Sequence, residues 1–475
     1  MRTITTIKIV CLLALITWAP RLNDALFVDE AGSFWSIGST ASNAVQGETY
    51  FYYFLLSEWS SLFGRSEIAL RSLSCLFVLL ACLLFLETGR LLNSRSFLWS
   101  APLASVSYLV VFAAVVARPY SAGVFFGMLS LFALASWKTY RRTLFLTLSV
   151  LSLSAALYCH PTFIFILPIH LYIIFKDKLS NLSRKQLLVG VILISITALP
   201  AFVHSFELRS RLDQLQFISD TPDVRSIFVF FVSVPVLLTL LLIAICKICI
   251  YRNQVLIDRA ELNNCGLALI WFLAPKGCAL LAGLLISPVF LVPRYTIFSS
   301  FGEALVAGCL LASIAHKKTR IALWLIVLCT MTLPWLYTTF PDTQWKPAAN
   351  YVKERQSTAG CQLFAVVGLI EATKLQLLLS EPTMSFIKAP LEYYGLKGTL
   401  LPVSQLTDQE KEYFKNEIFP VAEGASCNIL MIWDMASERD SGPAALIRHM
   451  RDRGFTLVKQ LKAGVVTVQD WQYRK

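Results

Sequence analysis

Eleven long apolar runs constrain what this 475-residue chain can fold into. A helix needs about 20 apolar residues to cross a bilayer. Only 15% of the residues are charged, whereas soluble globular proteins carry about 25%. This composition excludes a soluble cytosolic enzyme, a disordered chain and a nucleic-acid binder, so the net charge of +12 needs no nucleic-acid partner. The runs are Ile4–Leu22, Ile68–Leu86, Phe97–Ala117, Tyr120–Trp137, Leu144–Tyr158, Phe163–Phe175, Leu187–Val203, Ile227–Ile250, Leu262–Ile286, Tyr295–Ala315 and Ile321–Thr339.

The basic residues between the runs predict an orientation in the membrane. With the N-terminus inside, the short inside loops hold 17 Lys and Arg, and the outside loops hold 8. Inside loops of membrane proteins carry the excess of positive charge. This balance requires two short spans within Leu144–Phe175, because one span there would move every later loop to the other side. The sequence therefore predicts about 11 transmembrane helices and a C-terminus outside. We expect Ile4–Leu22 to stay as an anchor, since Trp18–Arg21 is a poor signal-peptide cleavage site.

The chain divides into two parts of different composition. Residues 1–340 are predicted to be a transmembrane module, whose first outside loop, 23–67, holds acidic residues and an interfacial helix around Tyr50–Leu56. Residues 341–475 alternate helical and strand patterns, which predicts a small extracytoplasmic α/β domain. The predicted helices are Trp345–Gln356, Glu371–Ser380, Gln409–Ile418 and Ala444–Arg453, and the strands are Leu363–Gly368, Leu400–Val403, Asn428–Trp433, Phe455–Leu461 and Val465–Gln469.

Charged residues near the predicted outer surface are candidates for function. The Asp29-Glu30 pair could bind a cation or act as a general base, and a solvated loop is an equally simple interpretation. Arg118 divides Phe97–Trp137 almost in half. A charge inside a membrane segment costs roughly 2.5–3.5 kcal/mol on insertion scales. This cost favours a functional Arg118 over a tight outside turn with a snorkelling side chain.

Three further polar residues lie within or between the apolar runs. His160 stands at the break between the two short spans, where a helix-capping role is the simpler interpretation. Arg294 lies between the ninth and tenth spans, and arginine suits the bidentate binding of phosphate. Lys276 lies in the ninth span and needs a carboxylate, a lipid phosphate or a water-filled cavity. The predicted topology places all of these groups at or below the outer surface.

Five short motifs in this order resemble one family. They are Val28–Ala31, Phe63–Arg71, Ala117–Ser121, Pro293–Tyr295 and Asp342–Tyr351. Over nearly its whole length the chain resembles the dolichyl-phosphate-mannose protein mannosyltransferase-like glycosyltransferases. These enzymes share the polytopic GT-C architecture and include the lipid A aminoarabinose transferases. The chain departs from the family before the second span, where Gly47–Tyr52 replaces a common His-Pro-Pro-Leu-Tyr run.

The resemblance implies an inverting hexosyl- or pentosyltransferase that uses a polyprenyl-phosphate sugar. The acceptor would be a hydroxyl of a glycolipid, a lipopolysaccharide or a protein, on the extracytoplasmic face of a bacterial inner membrane. Asp29 would match the general base, and Glu30 would support it or join it in binding a divalent cation. The donor phosphate would be bound by Arg118, Arg294, Tyr295 and Lys276, and the site would be lined by His160, Glu48 and Tyr120.

Two other functions remain open for a chain with this topology. A transporter or flippase of lipid-linked sugars would also place charges in the membrane, although such proteins show internal repeats, and the sequence has none that we detect. A non-catalytic membrane protein with a receptor-like outside domain would leave Arg118 and Lys276 without a purpose. Release of polyprenyl phosphate from the donor distinguishes transfer from transport.

Cys361 and Cys427 each stand just before a predicted strand of the C-terminal domain. If those strands are parallel neighbours, their starts lie on one edge of the sheet, close enough for a disulfide. Two unrelated small apolar residues are the alternative.

Overall fold

The computed structural model describes residues 3–38, 50–175, 223–249, 265–337, 345–369, 383–401, 408–424, 428–434 and 442–473, with a few isolated positions. The chain forms two compact units. The first unit comprises Met1–Leu22, Gly47–Gly64 and Ile68–Thr338. The second unit comprises Asn23–Gln46, Arg65–Glu67 and Thr339–Lys475. Of the described residues in the predicted first outside loop, 23–38 and 65–67 fall in the second unit and 50–64 fall in the first. The predicted domain boundaries stay a prediction.

The first 337 residues are almost entirely helical where they are described. Helices α1 to α14 are Thr3–Thr17, Val28–Gly38, Tyr50–Phe63, Glu67–Leu91, Ser96–Ser105, Tyr108–Val115, Tyr120–Tyr140, Thr143–Cys159, Leu167–Phe175, Val224–Phe231, Val234–Cys249, Cys265–Leu285, Ile297–Ala312 and Lys317–Tyr337. Short 3₁₀ turns extend or join several of them, at Ala19–Arg21, Pro161–Ile166, Pro288–Leu291 and Pro293–Thr296. Helix α2 belongs to the second unit.

The described helices agree with the predicted membrane-spanning pattern. Five are long and apolar enough to cross a membrane, or up to seven if two bent pairs are each counted as one span. The bends are 56° between α5 and α6 and 69° between α10 and α11. Two shorter apolar helices, Thr143–Cys159 and Pro161–Phe175, lie where we expected the two short spans. Helix α14 covers the eleventh run, and Leu187–Val203 lies almost wholly outside the described residues. The exact number of spans and the orientation stay predictions.

The second unit contains a five-stranded sheet in the order β2-β1-β3-β5-β4. Strands β1 to β5 are Gln362–Val366, Thr399–Leu400, Asn428–Asp434, Phe455–Ala463 and Val466–Tyr473, and helices α15 to α20 are Trp345–Ala359, Thr383–Ile387, Ala389–Tyr393, Asp408–Tyr413, Phe419–Gly424 and Gly442–Asp452. Strand β1 is parallel to β2 and β3, and β5 is antiparallel to β3 and β4. Alternate residues of β1 enter two separate apolar cores, because successive side chains of a strand point to opposite faces.

The α/β class of the C-terminal domain is confirmed, with local differences. The predicted helix Gln409–Ile418 changes to a π-helical turn at Phe414–Ile418. The described part of Leu400–Val403 contributes only the end of a two-residue strand. The predicted helix Glu371–Ser380 lies outside the described residues except for Leu379. Helices α2, α16, α17 and α19 were not predicted.

The two strands that follow the cysteines are parallel neighbours, as the disulfide hypothesis requires. Gln362 of β1 pairs with Ile429 of β3. Cys361 lies just before β1, and Cys427 lies outside the described residues. The disulfide therefore stays a prediction.

Candidate active site

Arg118 lies at a break between two helices, as the sequence predicted. Val116 is extended and ends α6, and Pro119 precedes the first residue of α7. The Arg118 Nη1 donates to the Tyr53 hydroxyl of α3 at 3.4 Å. The Ser121 hydroxyl contacts the Arg118 carbonyl oxygen at 3.2 Å and the Ser74 hydroxyl oxygen at 3.1 Å. Arg118 is thus held between α3, α4 and α7.

Three aromatic rings form a cluster beside this break, in which Tyr120 and His160 are buried and Tyr295 is half-buried. The rings of His160 and Tyr295 stack with centroids 4.9 Å apart and planes inclined by 30°. Tyr120 lies 5.4 Å from the His160 ring and 6.4 Å from the Tyr295 ring. The His160 Nδ1 lies 2.7 Å from the Thr162 hydroxyl, which orients the imidazole. This cluster joins the start of α7, the break after α8 and the 3₁₀ turn before α13.

The close approach of α7 to the segment after His160 depends on a glycine. A Cβ at Gly123 would lie 2.0 Å from Cε2 of Phe163, so any larger residue would force the Phe163 ring or the backbone to shift. The sequence places Gly123 three residues after Tyr120 and Phe163 three residues after His160. This packing therefore helps to bring Tyr120 and His160 together.

Arg294 reaches the same cluster from the 3₁₀ turn Pro293–Thr296. Its guanidinium lies 5.7 Å from the centroid of the Tyr295 ring, within cation–π range. The positive charges of Arg118 and Arg294 both act on the His160 imidazole. The structure therefore brings together five predicted site residues of the first unit, Arg118, Tyr120, His160, Arg294 and Tyr295. Their roles in binding stay predictions.

Asp29 and Glu30 lie in the first turn of α2, in the second unit. The Glu30 Oε2 accepts a hydrogen bond from the Phe27 N–H at 2.8 Å, which is one half of a capping box. Glu30 is fully buried and Asp29 is half-buried. Acidic residues in the first turn also stabilise a helix through its dipole. Glu30 thus has a structural role as a helix cap, which we had not anticipated.

Lys276 has a different set of neighbours, on α10, α12 and α13. Its Nζ donates to the Phe230 carbonyl oxygen at 2.8 Å and lies 4.6 Å from the centroid of the Phe272 ring. The charge of Glu303 acts on it, and the Ser233 hydroxyl donates to the Glu303 carboxylate. The sequence required a carboxylate, a lipid phosphate or a cavity for Lys276, and the described residues include one carboxylate, Glu303, whose charge acts on it. A role in binding the donor phosphate stays a prediction.

Two other predictions concern residues around the acidic pair. Glu48 lies outside the described residues. Among the described residues, no group of three or more His, Cys, Asp or Glu is arranged to hold a metal ion. One oxygen of Glu30 is engaged by the Phe27 N–H, so a divalent cation at the pair would depend mainly on Asp29.

Sequence reasoning missed two residues of these clusters. Glu303 is the only charged residue in the run Tyr295–Ala315, and that isolation was a usable signal. Tyr53 lies in an aromatic run, and nothing in the sequence distinguishes it from Tyr50 or Tyr52. Its contact with Arg118 joins residues 65 positions apart, which a local pattern does not reveal.

The cluster in the first unit is suited chemically to an anionic group. Arginine binds phosphate through two parallel hydrogen bonds. The charges of two arginines, Arg118 and Arg294, act on the same imidazole here. The rings of Tyr120, His160 and Tyr295 pack against one another, and the Arg294 guanidinium lies within cation–π range of the Tyr295 ring.

Comparison with known proteins bears on the fold. No protein-family model and no curated protein matches the sequence. The crystal structure of ArnT from Cupriavidus metallidurans in the apo state is 12% identical and has a TM-score of 0.52, with 97% of each chain covered. The same protein bound to undecaprenyl phosphate is 10% identical with a TM-score of 0.51, covering 98% of this chain and 97% of that chain.

A third solved structure is more distant. It is the Archaeoglobus fulgidus oligosaccharyltransferase tethered with an acceptor peptide, at 11% identity and a TM-score of 0.44 over 90% of this chain and 68% of that chain. ArnT is an aminoarabinose transferase with the GT-C fold. The likeness to ArnT extends over almost the full length of both chains. The expected architecture is thus confirmed, and this chain has the polytopic GT-C membrane fold with a C-terminal α/β domain.

Proposed function

We propose that this protein is a membrane glycosyltransferase that moves a sugar from a polyprenyl-phosphate donor to an acceptor hydroxyl. The observation that carries the proposal is the cluster of Arg118 and Arg294 around the stacked His160 and Tyr295 rings, within a GT-C fold. ArnT, which shares the fold, has been crystallised bound to undecaprenyl phosphate. An undecaprenyl-phosphate sugar is therefore the first donor to test.

In this proposal the two arginines bind the donor phosphate. The lipid tail of such a donor stays in the bilayer, so its phosphate is met at the ends of membrane helices, where Arg118 and Arg294 lie. When the sugar leaves, negative charge develops on the phosphate oxygen. Preorganised positive groups stabilise that charge in the transition state.

Asp29 is the general base of the proposed reaction. Its carboxylate takes the proton of the acceptor hydroxyl, and the hydroxyl oxygen forms a bond to the anomeric carbon of the sugar. The bond from that carbon to the donor phosphate breaks on the opposite face, so the configuration inverts and polyprenyl phosphate leaves. Glu30 supports Asp29 by fixing the first turn of α2.

The proposed location is a bacterial inner membrane, with the N-terminus in the cytoplasm and the C-terminal domain outside. The 17-to-8 distribution of basic residues supports this orientation. Reporter fusions after Leu92, Lys178 and Lys318 should report a cytoplasmic position, and a fusion after Lys475 an extracytoplasmic one. A cytoplasmic C-terminus would contradict the orientation and the face on which transfer occurs.

Transfer is tested with purified protein in liposomes that contain undecaprenyl-phosphate sugars labelled in the sugar. Hexose and pentose donors are tried separately, each with glycolipid, lipopolysaccharide or protein acceptors. We expect release of undecaprenyl phosphate and label in one class of acceptor. A flippase would instead move the intact donor across the bilayer, and that result would contradict the proposal. The D29N protein in the same liposomes is the control.

A further inference from the structure

The helix that carries Asp29 is built into the core of the C-terminal domain. Val28, Ala31 and Trp35 are spaced at helical intervals and are all buried in the apolar core that contains alternate residues of β1. The Trp35 ring packs against Phe386 of α16 with centroids 5.4 Å apart. Its Nε1–H donates to the Ser385 hydroxyl at 2.9 Å. Residues 350 positions away thus hold one side of α2.

The backbone immediately before Asp29 is also fixed by the domain. The Leu26 N–H donates to the hydroxyl oxygen of Tyr394 at 2.8 Å. The next N–H, that of Phe27, donates to the Glu30 Oε2 at 2.8 Å. Leu26 and Glu30 are both fully buried. Two consecutive N–H groups are therefore held, one by the domain and one by α2 itself, so the first turn of α2 has a defined start.

A third set of contacts is made by Phe34 of α2. The Phe34 ring meets the edge of the Tyr393 ring with centroids 4.9 Å apart. The Tyr393 hydroxyl donates to the Arg65 carbonyl oxygen at 3.2 Å, and the Arg65 guanidinium lies 5.9 Å from the Phe34 ring. The C-terminal domain thus contacts Phe34, which precedes the segment 39–64, and Arg65, which follows it.

The carboxylate of Asp29 lies away from these contacts. Successive residues of an α-helix are rotated by about 100°, which places Asp29 roughly 130° from the centre of the stripe of Val28, Ala31 and Trp35. Asp29 is only half-buried, whereas the stripe is buried. The domain therefore packs against one side of α2, and Asp29 lies on a different side. A shift of the domain contacts would move α2 and the Asp29 carboxylate with it.

We propose that the C-terminal domain sets the position of the general base, with Tyr394 and Ser385 as positioning residues that act through α2. This inference rests on the proposed function of Asp29. In this inference the α/β domain contributes to catalysis by positioning Asp29, without binding a ligand itself. A catalytic group displaced by about 1 Å can lose roughly 100-fold in rate, so small changes at α2 have a measurable effect.

The test uses the full-length protein with Y394F, which removes the acceptor of the Leu26 N–H just before α2, and S385A, which removes the acceptor of the Trp35 Nε1–H within α2. Y473F is the matched control, because Tyr473 packs on Phe455 at the other core of the same domain. We expect kcat to fall by about tenfold in Y394F and by less in S385A, with the KM for the donor within twofold of wild type. Amide hydrogen exchange should accelerate in residues 26–38 of both variants, and the control should match wild type in both measurements.

Two results would overturn the inference. An unchanged kcat in Y394F and S385A would show that the domain does not position the base. Unchanged hydrogen exchange in α2 would show that the contacts do not hold it, and this readout does not depend on any donor. If Y394F unfolds the whole domain, hydrogen exchange will also be faster in β3. In that case kcat and exchange in α2 are judged from S385A alone. Failure of the proposed function is a separate result, because it appears as retained transfer in D29N.

Discussion

The two units position their polar groups by different means. In the first unit, Arg118 and Arg294 lie just before helices. Arg118 donates to the Tyr53 hydroxyl, and the Arg294 guanidinium lies within cation–π range of the Tyr295 ring. In the second unit, Asp29 lies on a short helix with a capped N-terminus and one side buried in a domain core. Arg118 and Arg294, the proposed phosphate ligands, thus depend on the packing of apolar helices, and Asp29, the proposed base, depends on a small α/β domain.

This difference indicates that binding and chemistry can be perturbed separately. A change in the first unit should act mainly on donor affinity, and a change around α2 should act mainly on the rate of transfer. Such a division is visible in the split between KM and kcat, because loss of an interaction made only in the transition state lowers kcat. The predictions below test each side of the division.

The largest effect is expected for D29N. Removal of a general base costs about 10²- to 10⁴-fold in rate, and asparagine keeps the size of the side chain. We expect transfer to fall by that factor while expression and donor binding stay at the wild-type level. E58Q is the control, since Glu58 is an exposed carboxylate on α3. Retained transfer in D29N would move the base to Asp24, Glu30 or Glu48.

Substitution of Arg118 or Arg294 tests the proposed donor-binding role of the first unit. Hydrogen bonds to charged groups contribute about 1.5–3 kcal/mol, so R118A and R294A should each raise the KM for the donor by about 10- to 100-fold. Lysine should restore only part of the affinity, because it lacks the planar fork of arginine. R225A, at an exposed arginine on α10, is the control. A loss of kcat with an unchanged KM would contradict a phosphate-binding role.

Alanine substitutions at two glycines test how helix packing in the first unit contributes to the stability of the protein. A Cβ at Gly302 of α13 would lie 2.2 Å from the backbone nitrogen of Phe272 in α12, whereas a Cβ at Gly277 would meet nothing within 4 Å. Overpacking costs about 1–3 kcal/mol, so G302A should lower the thermal stability of the protein. G277A should be neutral or slightly stabilising.

Hydrogen exchange locates the damage in the G302A protein. We expect faster exchange in α12 and α13 and wild-type exchange in β1 and β3, because the two units have separate cores. Equal acceleration in the sheet would show that the units do not respond independently. The KM for the donor should rise in G302A, since Arg294 lies just before α13.

Much of the fold was predictable from apolar runs and charge. Each predicted run other than Leu187–Val203 coincides with described helices, because the length needed to cross a bilayer is a strong constraint on sequence. Helix α2 was not predicted, although Glu30 at its third position was a local capping signal. Its apolar stripe of three residues is too short to reveal what it packs against. The contact of Trp35 with Ser385 is purely tertiary.

The candidate site was predictable to the extent that its residues are unusual for a membrane segment. Arg118, Arg294 and His160 interrupt apolar sequence, and the structure brings them together. The sequence did not separate Lys276 from this group, because a charge in a span does not show which helices surround it. Its partner Glu303 and the Tyr53 contact to Arg118 arise from helix packing.

Binding of undecaprenyl phosphate to purified variants in nanodiscs tests the central claim most directly. The claim is that the first unit binds the donor phosphate and that Asp29 supplies the base. We predict that D29N binds undecaprenyl phosphate within twofold of wild type and that the double variant R118A/R294A binds it at least about 100-fold more weakly. Wild-type affinity in the double variant, provided that its helices show wild-type hydrogen exchange, would contradict the account.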